Sequence, residues 1–106
     1  MTTFDKREEG FEKKFAIDEE QRFKAEARRN RLLGLWAAQK LGLTGDAATA
    51  YARETVAAFG EGGNTGLIKK LSADFSANGV VVAEPEIRAQ MIELMTQAIA
   101  QVKAGT

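Results

Sequence analysis

Leu32-Leu33-Gly34-Leu35-Trp36-Ala37-Ala38 decides the fold. Uncharged and apolar almost all round when wound into a helix, this stretch is expected of a central helix contacted from several sides. Gly34 lets a neighbouring helix approach closely. Trp36 reads as core rather than as an isolated surface patch, because a small soluble monomer seldom leaves a tryptophan in water. The helix runs from near Phe4 or Asp18 to about Leu41, and Gly42 closes it as a C-terminal glycine.

Towards the C-terminus, three further helices follow from periodicity and punctuation. The second starts at Thr44-Gly45-Asp46, where either polar side chain is suited to cap free N–H groups, and carries Ala48, Tyr51, Ala52, Val56 and Phe59 on one face up to Gly60. Glu61-Gly62-Gly63-Asn64 reads as a turn, and Asn64 or Thr65 then caps a third helix with the stripe Leu67, Ile68, Leu71 and Phe75. Asn78-Gly79 stops it. The Val80-Val81-Val82 run is the only strand-like candidate, and it reads as a packed linker. Pro85 suits the first turn of a fourth helix, whose stripe is Ile87, Met91, Leu94, Met95, Ala98, Ile99 and Val102. The expected fold is all-α: a four-helix bundle with a long first helix and a partly disordered N-terminal arm. The arm is residues 1–17 and the body residues 18–106.

Composition narrows the function. A chain of 106 residues with 44% hydrophobic side chains is one domain with a real core. It has no Cys and no His, which excludes disulfides, thiolate nucleophiles, His-based metal sites and the Ser-His-Asp triad. No enzyme chemistry and no metal are expected. No run approaches the ~18 apolar residues of a membrane span, and the charged N-terminus lacks a secretory pattern, so direct membrane insertion is not expected and the cytoplasm is the default location. Fifteen Lys+Arg balance fifteen Asp+Glu, which argues against nucleic acid as a partner.

The charges are nevertheless segregated. Residues 1–31 hold 17 of the 30 charged side chains. Of these, residues 1–21 contain four basic and seven acidic, whereas residues 22–31 contain five basic and one acidic. Along a helix of 3.6 residues per turn, Phe4, Phe11 and Phe15 fall within about 40° of one another and form one narrow apolar seam. Arg7, Glu8 and Asp18 flank it. The pairs Glu9/Lys13, Asp18/Arg22 and Glu20/Lys24 favour a helix locally, while Gly10 opposes it by about 1 kcal/mol. Such a seam either folds back to complete the body or orders on docking into the cleft of another protein. Its thinness beside the body's own stripes favours docking.

The residues also carry a resemblance. Phe4-Asp5, Arg7-Glu8, Phe11-Glu12, Lys14-Phe15, Asp18-Glu19-Glu20, Phe23-Lys24-Ala25 and, above all, Ala27-Arg28-Arg29-Asn30-Arg31-Leu32-Leu33-Gly34-Leu35-Trp36-Ala37-Ala38 resemble the zeta subunit, the inhibitor of the F-type ATP synthase in alphaproteobacteria. Residues 1–42 carry most of the likeness; beyond them Gly45-Asp46 and Ala50-Tyr51-Ala52 fit the family, while the 60–66 loop is less acidic than its pattern. The resemblance implies a four-helix protein whose arm inserts at a catalytic alpha/beta interface of the head and blocks rotation in the hydrolysis direction. Its implied partners are the alpha, beta and gamma subunits, and through them the cytoplasmic face of the membrane. The arm positions that would carry over are Phe4, Asp5, Arg7, Glu8, Phe11, Glu12, Lys14 and Phe15. A wedge of this kind needs no chemistry of its own, because holding one conformation of a cycling interface is enough.

The basic collar, Arg22, Lys24, Arg28, Arg29 and Arg31, permits a second reading. Lys24, Arg28, Arg29 and Arg31 are candidate phosphate contacts for ATP or ADP, with Trp36 or Tyr51 as a stacking surface, which would make the protein a nucleotide sensor or an assembly factor of the synthase. Against this, Gly60, Gly62, Gly63 and Gly66 do not form a phosphate-binding loop, and Lys69-Lys70 fall outside its spacing. A solvated charged face is the simpler account of the collar. Asp18, Glu19 and Glu20 do not face one another on a helix, which leaves a carboxylate enzyme without a site.

Overall fold

The structure is a computed structural model and describes residues 17–105. Helix α1 spans Glu19–Lys40, α2 spans Gly45–Ala77 and α3 spans Glu84–Lys103. The described residues contain no strand. The described residues are all-α, but the expected four-helix bundle is corrected to a bundle of three helices among them.

The reason lies in the Gly60–Gly66 region. The expected turn over 61–64 is reduced to one residue: Gly63 has φ 62 and ψ −152, and helical turns continue on both sides of it within α2. That region of backbone space is almost restricted to glycine. The bend is sharp enough to fold α2 upon itself. The Tyr51 hydroxyl donates to Asp74 Oδ2 at 2.6 Å and Lys70 Nζ lies 3.3 Å from Glu54 Oε1, whereas a straight helix would separate Tyr51 and Asp74 by about 34 Å. The stripes assigned to two helices therefore belong to two arms of one element.

Local chemistry sets the other ends. Asp18 caps α1: its side chain accepts from the Gln21 N–H at 2.7 Å, and the Asp18 N–H donates to Gln21 Oε1 at 3.3 Å. Gly42, at φ 78, closes α1 with Gly42 N–H donating to the Gln39 carbonyl and Leu43 N–H to the Ala38 carbonyl. Gly79 closes α2 in the same way, donating to Ser76, while Val80 N–H donates to Phe75. Thr44 occupies the N-cap of α2 without a side-chain capping bond, so that expected cap is not formed. Pro85 lies in the first turn of α3, as its missing N–H allows. Val80 and Val82 pack on the core while Val81, between them, is 97% exposed.

Helix α1 is the centre, packed against α2 on one side and α3 on the other; α2 and α3 meet only narrowly. Leu33, Ala37 and Ala38 from α1 join Tyr51, Leu67, Ile68, Leu71 and Phe75 from α2 and Ile87, Met91 and Leu94 from α3. A second cluster, Ala25 with Ala98 and Ile99, draws in Ile17, Met95 and Val102 and fastens the start of α1 to the end of α3. Lys40 pairs with Glu86 at 3.6 Å and Arg28 Nη1 donates to Gln101 at 3.3 Å, which fixes α1 and α3 as antiparallel. Trp36 is half-buried and meets Phe75 edge-on at 5.9 Å between ring centroids. On the first arm of α2 the apolar face is turned slightly from the expected one: Thr55 is fully buried and Val56 lies towards solvent.

Candidate functional site

Of the two sets of candidate residues, one lies on α1. Phe4, Asp5, Arg7, Glu8, Phe11, Glu12, Lys14 and Phe15 lie outside the described residues. The other set, Lys24, Arg28, Arg29 and Arg31, sits on the first four turns of α1, and the helix divides it. Lys24, Arg28 and Arg31 fall within about 60° of one another, while Arg29 points some 140° away from Lys24. Lys24 is exposed and pairs with Glu20 at 3.4 Å. Arg31 is exposed and Arg28 half-buried.

Arg29 is different in kind. Only 5% exposed, it donates from Nε to Asn30 Oδ1 at 2.8 Å and from Nη2 to Asn64 Oδ1 at 2.9 Å. Its guanidinium lies 5.6 Å from the centroid of the Phe59 ring. Burial lowers its pKa, with the charge of Glu26 acting in the opposite direction. Asn64 follows Gly63 directly, so Arg29 ties the bend of α2 to the centre of α1. Of the four candidate contacts, Arg29 is thus an inward clasp, while Lys24, Arg28 and Arg31 lie on another side of the helix, and the four do not converge on a common point.

The residues around Tyr51 form a second polar cluster that sequence reasoning missed. Lys70 Nζ lies 3.0 Å from Asp74 Oδ2, 3.3 Å from Glu54 Oε1 and 4.6 Å from the Tyr51 ring centroid. Burial alone would lower the Lys70 pKa, but the bonds to Asp74 and Glu54 outweigh it and hold the ammonium above its ordinary value. Burial first, and the bond to Asp74 second, push the Tyr51 hydroxyl well above the usual range for tyrosine. The four-residue spacing of Lys70 and Asp74 was a visible signal; the fold-back that adds Tyr51 and Glu54 was not. Every strong partner in this cluster is internal, which suits a brace. Among the described residues no group of His, Cys, Asp or Glu is arranged to hold a metal, and no helix is long and apolar enough to cross a membrane.

The profile of a family described as ATPase inhibitor subunit zeta matches residues 1–101. The chain belongs to the ATPase inhibitor subunit zeta family. The zeta match takes in the stretch before α1, the whole of α1 and α2, and α3 as far as Gln101. The zeta chain is also similar to a protein solved by solution NMR, with 45% identity, a TM-score of 0.67, and coverage of 79% of this chain and 96% of that one. A search of curated proteins finds no match. Zeta membership assigns a regulatory role towards the ATP synthase, with the enzyme's head as partner.

Proposed function

We propose that the protein inhibits ATP hydrolysis by an F-type ATP synthase through its N-terminal arm, which wedges as a helix into a catalytic alpha/beta interface of the head and blocks rotation in the hydrolysis direction. The observation that carries this reading is the family match across residues 1–101, which includes the arm. The separate cap of α1 supports it: the Asp18 side chain accepts from the Gln21 N–H and starts the helix of the body just after the arm. The arm then acts as a ligand and the body as its anchor. Phe4, Phe11 and Phe15 fill an apolar groove, and Asp5, Arg7, Glu8, Glu12 and Lys14 set register by charge, which contributes specificity more than affinity. Alpha, beta and gamma subunits are the surfaces met.

Nothing favours nucleotide sensing as a second reading, because two of the Arg29 donors are committed to Asn30 and Asn64. The test is steady-state ATP hydrolysis by an isolated alphaproteobacterial head titrated with the full chain, with Phe11→Asp and Phe15→Asp, and with a chain lacking residues 1–16. Ile17 is kept, since it packs on the second cluster. Inhibition by the full chain and its loss in all three variants is expected. Equal inhibition by the parent and both aspartate variants would sink the wedge.

A further inference from the structure

Helix α1 carries one exposed ridge that the packing of the body does not use. Glu19, Phe23, Ala27 and Arg31 follow at four-residue spacing and all four are exposed, so they form a continuous row along the helix. Phe23 is 60% exposed, while the other described phenylalanines, Phe59 and Phe75, pack on the core. Leaving such a ring in water forgoes the gain of burying it. A single exposed hydrophobic residue is common on proteins, and Phe23 stands out by its setting. It lies just over one turn inside the Asp18 cap, next to the stretch before α1, and its row begins at Glu19 and ends at Arg31, while the neighbouring Glu20 and Lys24 pair with each other at 3.4 Å.

The geometry points to this ridge as a second docking surface for the ATP synthase head, continuous with the arm; the inference rests on the inhibitor reading above. A helix rises 1.5 Å per residue, so Phe23 sits about 6 Å along the axis from Glu19. Ile17 packs on the body, so a cleft that takes the arm reaches the Asp18 cap, about 8 Å along the axis from Phe23. The chemistry of the row defines the partner surface: a shallow apolar recess able to take one aromatic ring, a cationic group on the arm side facing Glu19, and a carboxylate beyond, facing Arg31. Apolar contact then adds affinity and the charge order fixes direction along the groove. The arm supplies the block; the ridge supplies residence on the enzyme.

Full-length Phe23→Ser and Arg31→Glu chains test this against the isolated head, with binding followed by calorimetry and hydrolysis followed in parallel. Both positions are exposed, and circular dichroism on each chain confirms the fold. The ridge predicts a rise of about tenfold in the half-saturating concentration for Phe23→Ser and a smaller rise for Arg31→Glu, with the plateau of inhibition unchanged. Half-saturation within twofold of the parent for both variants overturns the ridge. A lowered plateau overturns it too, because Phe23 would then belong to the wedge. Phe11→Asp and Phe15→Asp in the same series separate the two ideas: if they abolish inhibition while Phe23→Ser binds like the parent, the arm reading stands and the ridge falls. If they inhibit like the parent while Phe23→Ser binds less tightly, the wedge falls and the ridge remains.

Discussion

The hydroxyl of Tyr51 and the carboxylate of Asp74, 23 residues apart in the chain, meet at 2.6 Å because α2 turns back on itself at Gly63. Burial and this bond hold the Tyr51 proton at pH values where a free phenol has lost it. The unfolded chain gives that proton up above pH ~10. The contribution of Tyr51 to stability is therefore fully present below that pH and is lost as pH rises beyond it. Lys70, held above its ordinary value by Asp74 and Glu54 against the effect of burial, acts in the same direction. Because Tyr51 is the sole tyrosine, absorbance at the phenolate band reports it alone. Phenolate is expected to appear together with loss of helical ellipticity in an alkaline titration; phenolate formed while the helix signal is intact would contradict this. Tyr51→Phe should lower stability at neutral pH by about 1 kcal/mol, since Asp74 keeps Lys70 as a partner.

Gly34 marks the closest approach of α1 and α2. A methyl group there would stand 2.7 Å from Ala52 Cα and 2.8 Å from Thr55 Oγ1, and the first of these is backbone and cannot swing away. Gly34→Ala gains up to about 1 kcal/mol of helix propensity and meets an overpacking cost of about 1–3 kcal/mol. The net expectation is a lower urea midpoint with an unchanged slope. Stabilisation by this substitution would mean that the two helices part at little cost.

Gly63 should fail for another reason. Open space surrounds its Cβ position, so Gly63→Ala meets no neighbour and suffers only from its φ of 62 and ψ of −152. About 1–3 kcal/mol of lost stability is expected, measured as a fall in melting temperature without loss of helix content at 25 °C. A melting temperature equal to the parent's would show that the bend relaxes freely.

Arg29 and Arg31, two residues apart, should behave oppositely. Arg29→Ala strands Asn30 Oδ1 and Asn64 Oδ1 and uncovers Phe59, at an expected cost of about 2–3 kcal/mol. Arg31→Ala, at an exposed position, should change stability by less than about 0.5 kcal/mol. Chemical denaturation of both variants decides the matter. Equal, small effects would return Arg29 to the surface.

Much of this arrangement is legible in the sequence because punctuation and stripe agree. Gly42, Gly79 and Pro85 stand where helices end or begin, and the stripes Leu67-Ile68-Leu71-Phe75 and Ile87-Met91-Leu94-Ala98-Ile99 are buried together. Gly34 proves to be the contact its size suggested. Three features resist such reading. Glu61-Gly62-Gly63-Asn64 has the composition of a loop, and composition does not distinguish four residues of turn from one residue at an unusual ψ. A run of arginines says nothing of which one points inward; the clue was that Arg29 shares a face with Leu33, four residues on, and opposes Lys24. The brace of Tyr51, Asp74, Lys70 and Glu54 depends on the fold-back and so becomes visible only with it. The functional assignment draws on residues 1–16, whose pattern of phenylalanine and charge is readable without any knowledge of the body.

The one-residue bend at Gly63 also makes the length of this joint matter. Ordinary surface loops absorb extra residues at little cost, because closure entropy grows slowly with length. Here both arms of α2 stay helical up to the bend, so an added residue has no slack to enter and each one turns the following arm by 100°. One insertion would rotate Leu71 and Phe75 out of the interior and bring Lys70 and Asp74 into their places. The joint works like a keyed coupling, and variation between related chains at this tip should keep its length even where the residues on either side of the glycine change.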